Sequence, residues 1–184
     1  MKRPLSHARA ERTESGKFLP PMPSDETVAI LFIDSRDTER NYYADQLKLF
    51  SSDYVIYQAA TGKSGLAACD AHCIDCVVLE INLLDMSGFQ VLPQLVSTGR
   101  THTAPVIVLT HLTNPFILDL AVKNGAFSAL CKSFTPADIL DKHILRALSA
   151  NGKDRKPLRR EDAPPLLPIV WTTTAPASNK DSRL

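Results

Sequence analysis

Short apolar runs alternate along this chain with stretches whose apolar positions recur three and four residues apart. The runs are Val28–Ile33 (VAILFI), Tyr54–Tyr57 (YVIY), Cys76–Leu79 (CVVL), Pro105–Leu109 (PVIVL) and Ser128–Cys131 (SALC). A continuous apolar run bounded by polar residues predicts a strand, and one without alternation predicts a strand covered on both faces. The second run is the most polar, which predicts a sheet edge. Between the runs, Tyr43, Leu47 and Phe50 fall at helical spacing, as do Leu66, Ala67 and Cys69. A third helical pattern opens at Gly88 with Phe89, Val91, Leu92 and Leu95, and the last carries Ile139, Leu140, Ile144, Leu145 and Leu148. Asp37 and Thr61 are expected to cap the first two helices, and Asn114-Pro115 to open the fourth, with Gly125 as its stop. Thr135 with Asp138 resembles a capping box for the fifth.

Five strands alternating with five helices predict an α/β fold, a doubly wound parallel sheet with right-handed crossovers and helices on both faces. In such sheets ligands bind in the crevice outside the carboxyl ends of the strands. Asp34, Glu80, Thr110 and Lys132 each end or directly follow a predicted strand. Two acids, a hydroxyl and an ammonium therefore converge on one crevice, which marks it as the candidate site.

The 184 residues suit one domain with extensions: 1–26 and 151–184 as disordered segments, 27–150 as the folded unit. The first extension is charged and Pro-containing, the second basic and Pro-rich, and neither shows a helical period. The net charge of +1 hides a split, because residues 25–150 carry nine basic and fourteen acidic residues. An acidic folded unit lacks the basic stripe of a nucleic-acid-binding domain. No apolar run is long enough to span a membrane, and no secretory signal is recognised, so a cytoplasmic location is expected. Cys69, Cys73 and Cys76 match the CxxxCxxC spacing of an iron–sulfur site. Two of them fall on a helical pattern and the third inside the central strand, which predicts core thiols rather than cluster or zinc ligands, His72 included.

The stretches ILFIDSRDTERN, DCVVLEINLLDMSGFQVL, PVIVLT, NGAFSALCKSF and TPADIL, in that order, resemble the receiver domain of two-component response regulators. The resemblance covers about residues 27–149. It implies a flavodoxin-like sheet of order 2-1-3-4-5. It also implies phosphoryl transfer from a histidine kinase to an aspartate after the third strand, assisted by Mg2+. A hydroxyl and a lysine then hold the phosphoryl group, and the face of the fourth helix, fifth strand and fifth helix rearranges. Carried over by position, Glu80 stands at the phosphoacceptor. Asp34 and Ser35 stand at an acidic pair, Asn82 where a backbone carbonyl completes the metal site, and Thr110 and Lys132 at the switch hydroxyl and lysine. Ala129 replaces a mobile aromatic. Leu84 and Ser133 stand where prolines are common.

These departures predict an atypical receiver. Magnesium demands near-octahedral oxygen ligation. With Ser35 for an acid and Glu80 for Asp, only a vestigial set (Asp34, Glu80, Asn82) remains, and neither metal nor other cofactor is expected. The longer Glu80 carboxylate is expected to reach Lys132 and imitate a phosphorylated aspartate in part. The pair is expected to be partly exposed at the crevice mouth. The reading is a phosphorylation-independent, non-enzymatic interaction module whose partner is a histidine kinase or a downstream regulator, with no nucleic acid or membrane involved. The alternative is a receiver still phosphorylated in a phosphorelay. A flavodoxin-like cofactor binder would need a Gly-rich loop after the first strand, and Asp34–Asp37 contains no glycine.

Overall fold

The computed structural model describes residues 27–97 and 104–153. The expected disordered extensions thus lie almost wholly outside the described residues. Within them, β1 (Val28–Ile33), β2 (Tyr54–Ala59), β3 (Cys76–Leu79), β4 (Val106–Thr110) and β5 (Ser128–Cys131) form a parallel sheet of order β2-β1-β3-β4-β5. They alternate with α1 (Asp37–Phe50), α2 (Gly62–Ala71), α3 (Gly88–Ser97), α4 (Pro115–Lys123) and α5 (Ala137–Ala150), with a short 3-10 turn at Lys132–Phe134. β2 lies at an edge, as its polarity predicts. It runs two residues past Tyr57 because it pairs with β1 from Val28–Tyr54 through Ile33–Ala59.

The alternation of a strand sends neighbouring side chains to opposite faces, and the sheet is covered on both. Ile30 and Phe32 of β1 join Val78, Ile107, Leu140, Ile144 and Leu148 in one core. Leu31 and Ile33 join Val77, Leu79, Val108, Val91 and Leu92 in the other. Cys76 and Cys131 are buried, Cys69 half-buried and Cys73 exposed. Burial, with the Asp75 charge beside it, pushes the Cys76 thiol up to about 12, so it stays protonated and core-like. Among the described residues no group of three or more His, Cys, Asp or Glu side chains is placed to hold a metal ion. No helix among them is long and apolar enough to cross a membrane.

Four helix starts test the predicted caps, and two of them form as predicted. Thr61 caps α2 through a reciprocal box with Ser64, and the Asn114 side chain accepts from the Phe116 N–H with Pro115 at the first position of α4. Asp37 does not cap α1. Arg36 holds the cap position without a side-chain bond, and the Arg36 N–H donates instead to Asp34 Oδ1 at 2.9 Å. The Thr135–Asp138 box does not form either, because the Thr135 hydroxyl donates to the Cys131 carbonyl at 2.8 Å and Pro136 becomes the cap.

Gly88 fixes where β3 delivers its terminal acid. Its N–H donates to the Ile81 carbonyl at 2.8 Å. A Cβ at this position would lie 2.5 Å from the Glu80 backbone oxygen and 2.7 Å from Ile81 Cα. Backbone atoms cannot yield as a flexible side-chain tip does. Gly88→Ala is therefore expected to cost about 1–3 kcal/mol, as overpacking generally does, measured by urea denaturation. A loss below about 0.5 kcal/mol, the range of unconstrained surface changes, would show that α3 does not pin this loop.

Candidate functional site

The register of the sheet brings four chain ends together. Ile33 pairs with Leu79, Leu79 with Val108, and Thr110 with Cys131. Asp34, Glu80 and Lys132 each come one residue later, and Thr110 is the last residue of β4. Relative exposure is 6% for Asp34, 5% for Glu80, 0% for Thr110 and 4% for Lys132. The expected partly exposed Glu80–Lys132 pair is thus corrected to a buried one. The reason is that α1 begins at Asp37, so its first turn sits against the strand ends.

Lys132 is the centre. Its Nζ lies 2.5 Å from Asp34 Oδ2, 2.7 Å from Glu39 Oε2 and 2.8 Å from Glu80 Oε2. An ammonium has three N–H donors and no acceptor; it donates to Asp34 and Glu39 and forms an ion pair with Glu80. The other Glu80 oxygen, Oε1, accepts from the Thr110 hydroxyl at 2.5 Å and from the N–H groups of Ile81 and Asn82 at 2.7 and 3.0 Å. Among the described residues, every buried side-chain nitrogen and oxygen is hydrogen-bonded. Two buried acids and a half-buried third on one base persist only because this network is complete.

Glu39 was not visible from the sequence as a site residue. It lies in the first turn of a helix, after no strand, and only the short β1–α1 connection hints that it faces the crevice. Its Oε1 accepts from Arg36 Nη1 at 2.9 Å and meets His111 Nε2 at 2.8 Å. Burial alone would raise its pKa, but hydrogen bonds from Lys132, Arg36 and His111 outweigh it and hold the carboxyl at about 2. For Lys132, burial works against the charge. The Glu80 charge and bonds to Asp34, Glu39 and Glu80 overcome it, so the pKa is raised.

The remaining predicted positions stand apart from this centre. The Ser35 hydroxyl donates to the Ala60 carbonyl and accepts from the Leu84 N–H, both at 3.0 Å, stitching three loops together. Asn82 contributes its backbone N–H to Glu80 and bridges to Ser87. Ala129 lies within β5 opposite Val108 and packs on the apolar core. Magnesium needs oxygens at about 2.0–2.1 Å in an octahedron. Here the acidic oxygens converge on an ammonium and the Ser35 hydroxyl is committed elsewhere, so the residues present do not fit that ion.

Residues 30–144 match the response regulator receiver domain family. A probable cyclic di-GMP phosphodiesterase of Vibrio cholerae serotype O1 is 35% identical over 79 residues, 43% of this chain and 18% of that relative. The chain thus spans under a fifth of that protein. Among solved structures, a receiver domain protein from Clostridium thermocellum superimposes with a TM-score of 0.60 at 24% identity, covering 68% of this chain and 97% of the other. The chemotaxis response regulator CheY4 of Vibrio cholerae gives 0.58 at 21% identity, covering 66% and 99%. At these identities the likeness concerns the fold.

Two outcomes follow from the geometry. Removing Lys132 strands the buried acids Asp34 and Glu80, so Lys132→Ala should cost about 3–5 kcal/mol, the usual penalty for breaking a buried pair. A loss under about 1 kcal/mol, as for exposed pairs, would contradict the burial. The depressed Glu39 carboxyl adds stability that is present above its ordinary value of 4.5 and is lost as pH falls toward about 2. Urea midpoints measured across that window should fall in the wild type and fall less steeply in Glu39→Gln.

Proposed function

The chain belongs to the response regulator receiver domain family, and from that premise we propose that it is an atypical receiver held in one signalling state without phosphorylation. One observation carries the reading: the Glu80 carboxylate receives both the Thr110 hydroxyl and the Lys132 ammonium. In the family pattern those two groups hold the phosphoryl group. Here the side chain that stands at the acceptor position occupies them itself.

Three physical points support it. Three carboxylates already close around the Lys132 ammonium, so a phosphoryl oxygen would have to displace one of them. The carboxylates Asp34, Glu39 and Glu80 outnumber the cations Lys132 and Arg36 that contact them. That balance repels an incoming phosphoryl donor. Ala129 has no ring to swing when Thr110 moves. A phosphoryl group carries nearly twice the charge of a carboxylate, so the imitation is of position and partners rather than of full charge.

The module acts through a protein partner, either a histidine kinase or a downstream regulator, on the face made by α4, β5 and α5. Phe116 and Leu120 of α4 are 80% and 48% exposed, and Phe127 ahead of β5 is 40% exposed. Apolar exposure of this kind suits a protein surface more than nucleic acid. No phosphodiesterase chemistry is carried over from the Vibrio relative, since the match spans so little of it.

Acetyl phosphate with Mg2+ should leave the intact mass of the full chain unchanged. A phosphoryl adduct on Glu80 would instead support a working phosphorelay receiver. Glu80→Gln keeps shape but removes the carboxylate charge that faces Lys132. Affinity for a partner isolated from the native host should fall about tenfold, roughly 1.4 kcal/mol. Unchanged affinity in the folded variant would make the α4–β5–α5 face a bare scaffold, independent of the site.

A further inference from the structure

We infer that the Lys132 ammonium is the resident cation of this site, and that Glu39 is the third ligand that lets an ammonium stand in place of a metal ion. The inference goes beyond the proposed signalling state, because it concerns which cation the site holds and which residue makes that possible.

Three carboxylate oxygens, from β1, α1 and β3, lie 2.5–2.8 Å from one nitrogen. Their number equals the number of ammonium protons. Asp34 and Glu80 arrive by strand register, and they alone would leave one proton unpaired. Glu39 supplies the missing acceptor from a different element. It is also held as a ligand is held: Oε2 takes Lys132, while Oε1 is fixed by Arg36 and His111. Orientation of a ligating group by outer partners is how metal sites keep their geometry. The link to His111, the residue after Thr110, ties the cation to the β4–α4 connection as well as to α1. The three acids and the lysine depend on each other. Without Lys132, three carboxylates face one another across a small buried space, and an oxygen-seeking divalent ion is the natural replacement.

Mn2+ added to the full-length chain is the probe, followed by melting temperature and by paramagnetic broadening of the Ile81 and Asn82 amides. Wild type should show neither a shift in melting temperature nor saturable broadening at millimolar Mn2+. Lys132→Met should melt lower and be restored by Mn2+, with both amides broadened. Adding Glu39→Gln to Lys132→Met should weaken that binding about tenfold or more, a difference readily read as a change in Kd. Saturable broadening in wild type overturns the assignment, whether or not Glu80 is phosphorylated. So does a folded Lys132→Met that ignores Mn2+, or one that binds it equally with Gln at position 39. If Lys132→Met does not fold with or without the ion, the wild-type Lys132 ammonium is observed directly by nitrogen–proton correlation. Its protons should exchange slowly with water, and Glu39→Gln should accelerate that exchange about tenfold or more, since one donor loses its charged acceptor. Exchange that is equally fast in both chains would reject the role of Glu39.

Discussion

One buried ammonium sets the terms for the rest of this molecule. Taking Lys132 out of water costs several kcal/mol before any contact is made, and the chain recovers that cost only by closing three carboxylates around it. Asp34 and Glu80 are likewise expensive to bury alone, and the half-buried Glu39 less so. The cluster is therefore cooperative in a strong sense. Each member costs stability without the others, and each comes from a separate element. The charge network doubles as a clamp on β1, α1, β3 and β5. Through Thr110 and His111 it also holds the end of β4.

The parallel sheet makes the clamp possible. Its register places three strand ends level, and α1 begins close enough to β1 to add a fourth contributor. Gly88 lets the start of α3 lie against the Glu80 and Ile81 backbone. Asp85 steadies the same loop from the other side, accepting from the N–H groups of Gly62 and Lys63 at 2.8 and 3.0 Å. Ser35 binds the loops after β1, β2 and β3 to one another. In the proposed state, positions that serve chemistry in a phosphorylated receiver serve geometry, and the Glu80 carboxylate takes the Thr110 and Lys132 partners itself.

Much of this was legible in the residues. The buried runs VAILFI, CVVL and PVIVL became the three strands flanked on both sides, and the acids that follow the first two landed in the crevice at the strand ends. The polar run YVIY became an edge. Of the three spaced cysteines, Cys69 lies on α2 and Cys76 in β3 as expected, but Cys73 falls in the exposed connection after α2 ends at Ala71. Other features depend on tertiary detail that a linear pattern does not carry. Glu39 reads as an ordinary first-turn acid until α1 is placed. The depth of the Glu80–Lys132 pair depends on how the loops close. Thr135 reads as a cap, but its hydroxyl donates to the Cys131 carbonyl and Pro136 takes the cap position.

The central claim is that the site occupies a single locked arrangement, with Thr110 held inward on Glu80. Relaxation-dispersion NMR on the full-length chain tests it most directly, because it detects minor states exchanging on the microsecond-to-millisecond scale. Flat profiles for the Thr110 methyl and for the amides of Ile81, Asn82, His111 and Leu112 are the predicted result. Dispersion shared by Thr110 and the α4 amides, fitting one exchange process, would reveal a working two-state switch and contradict the account.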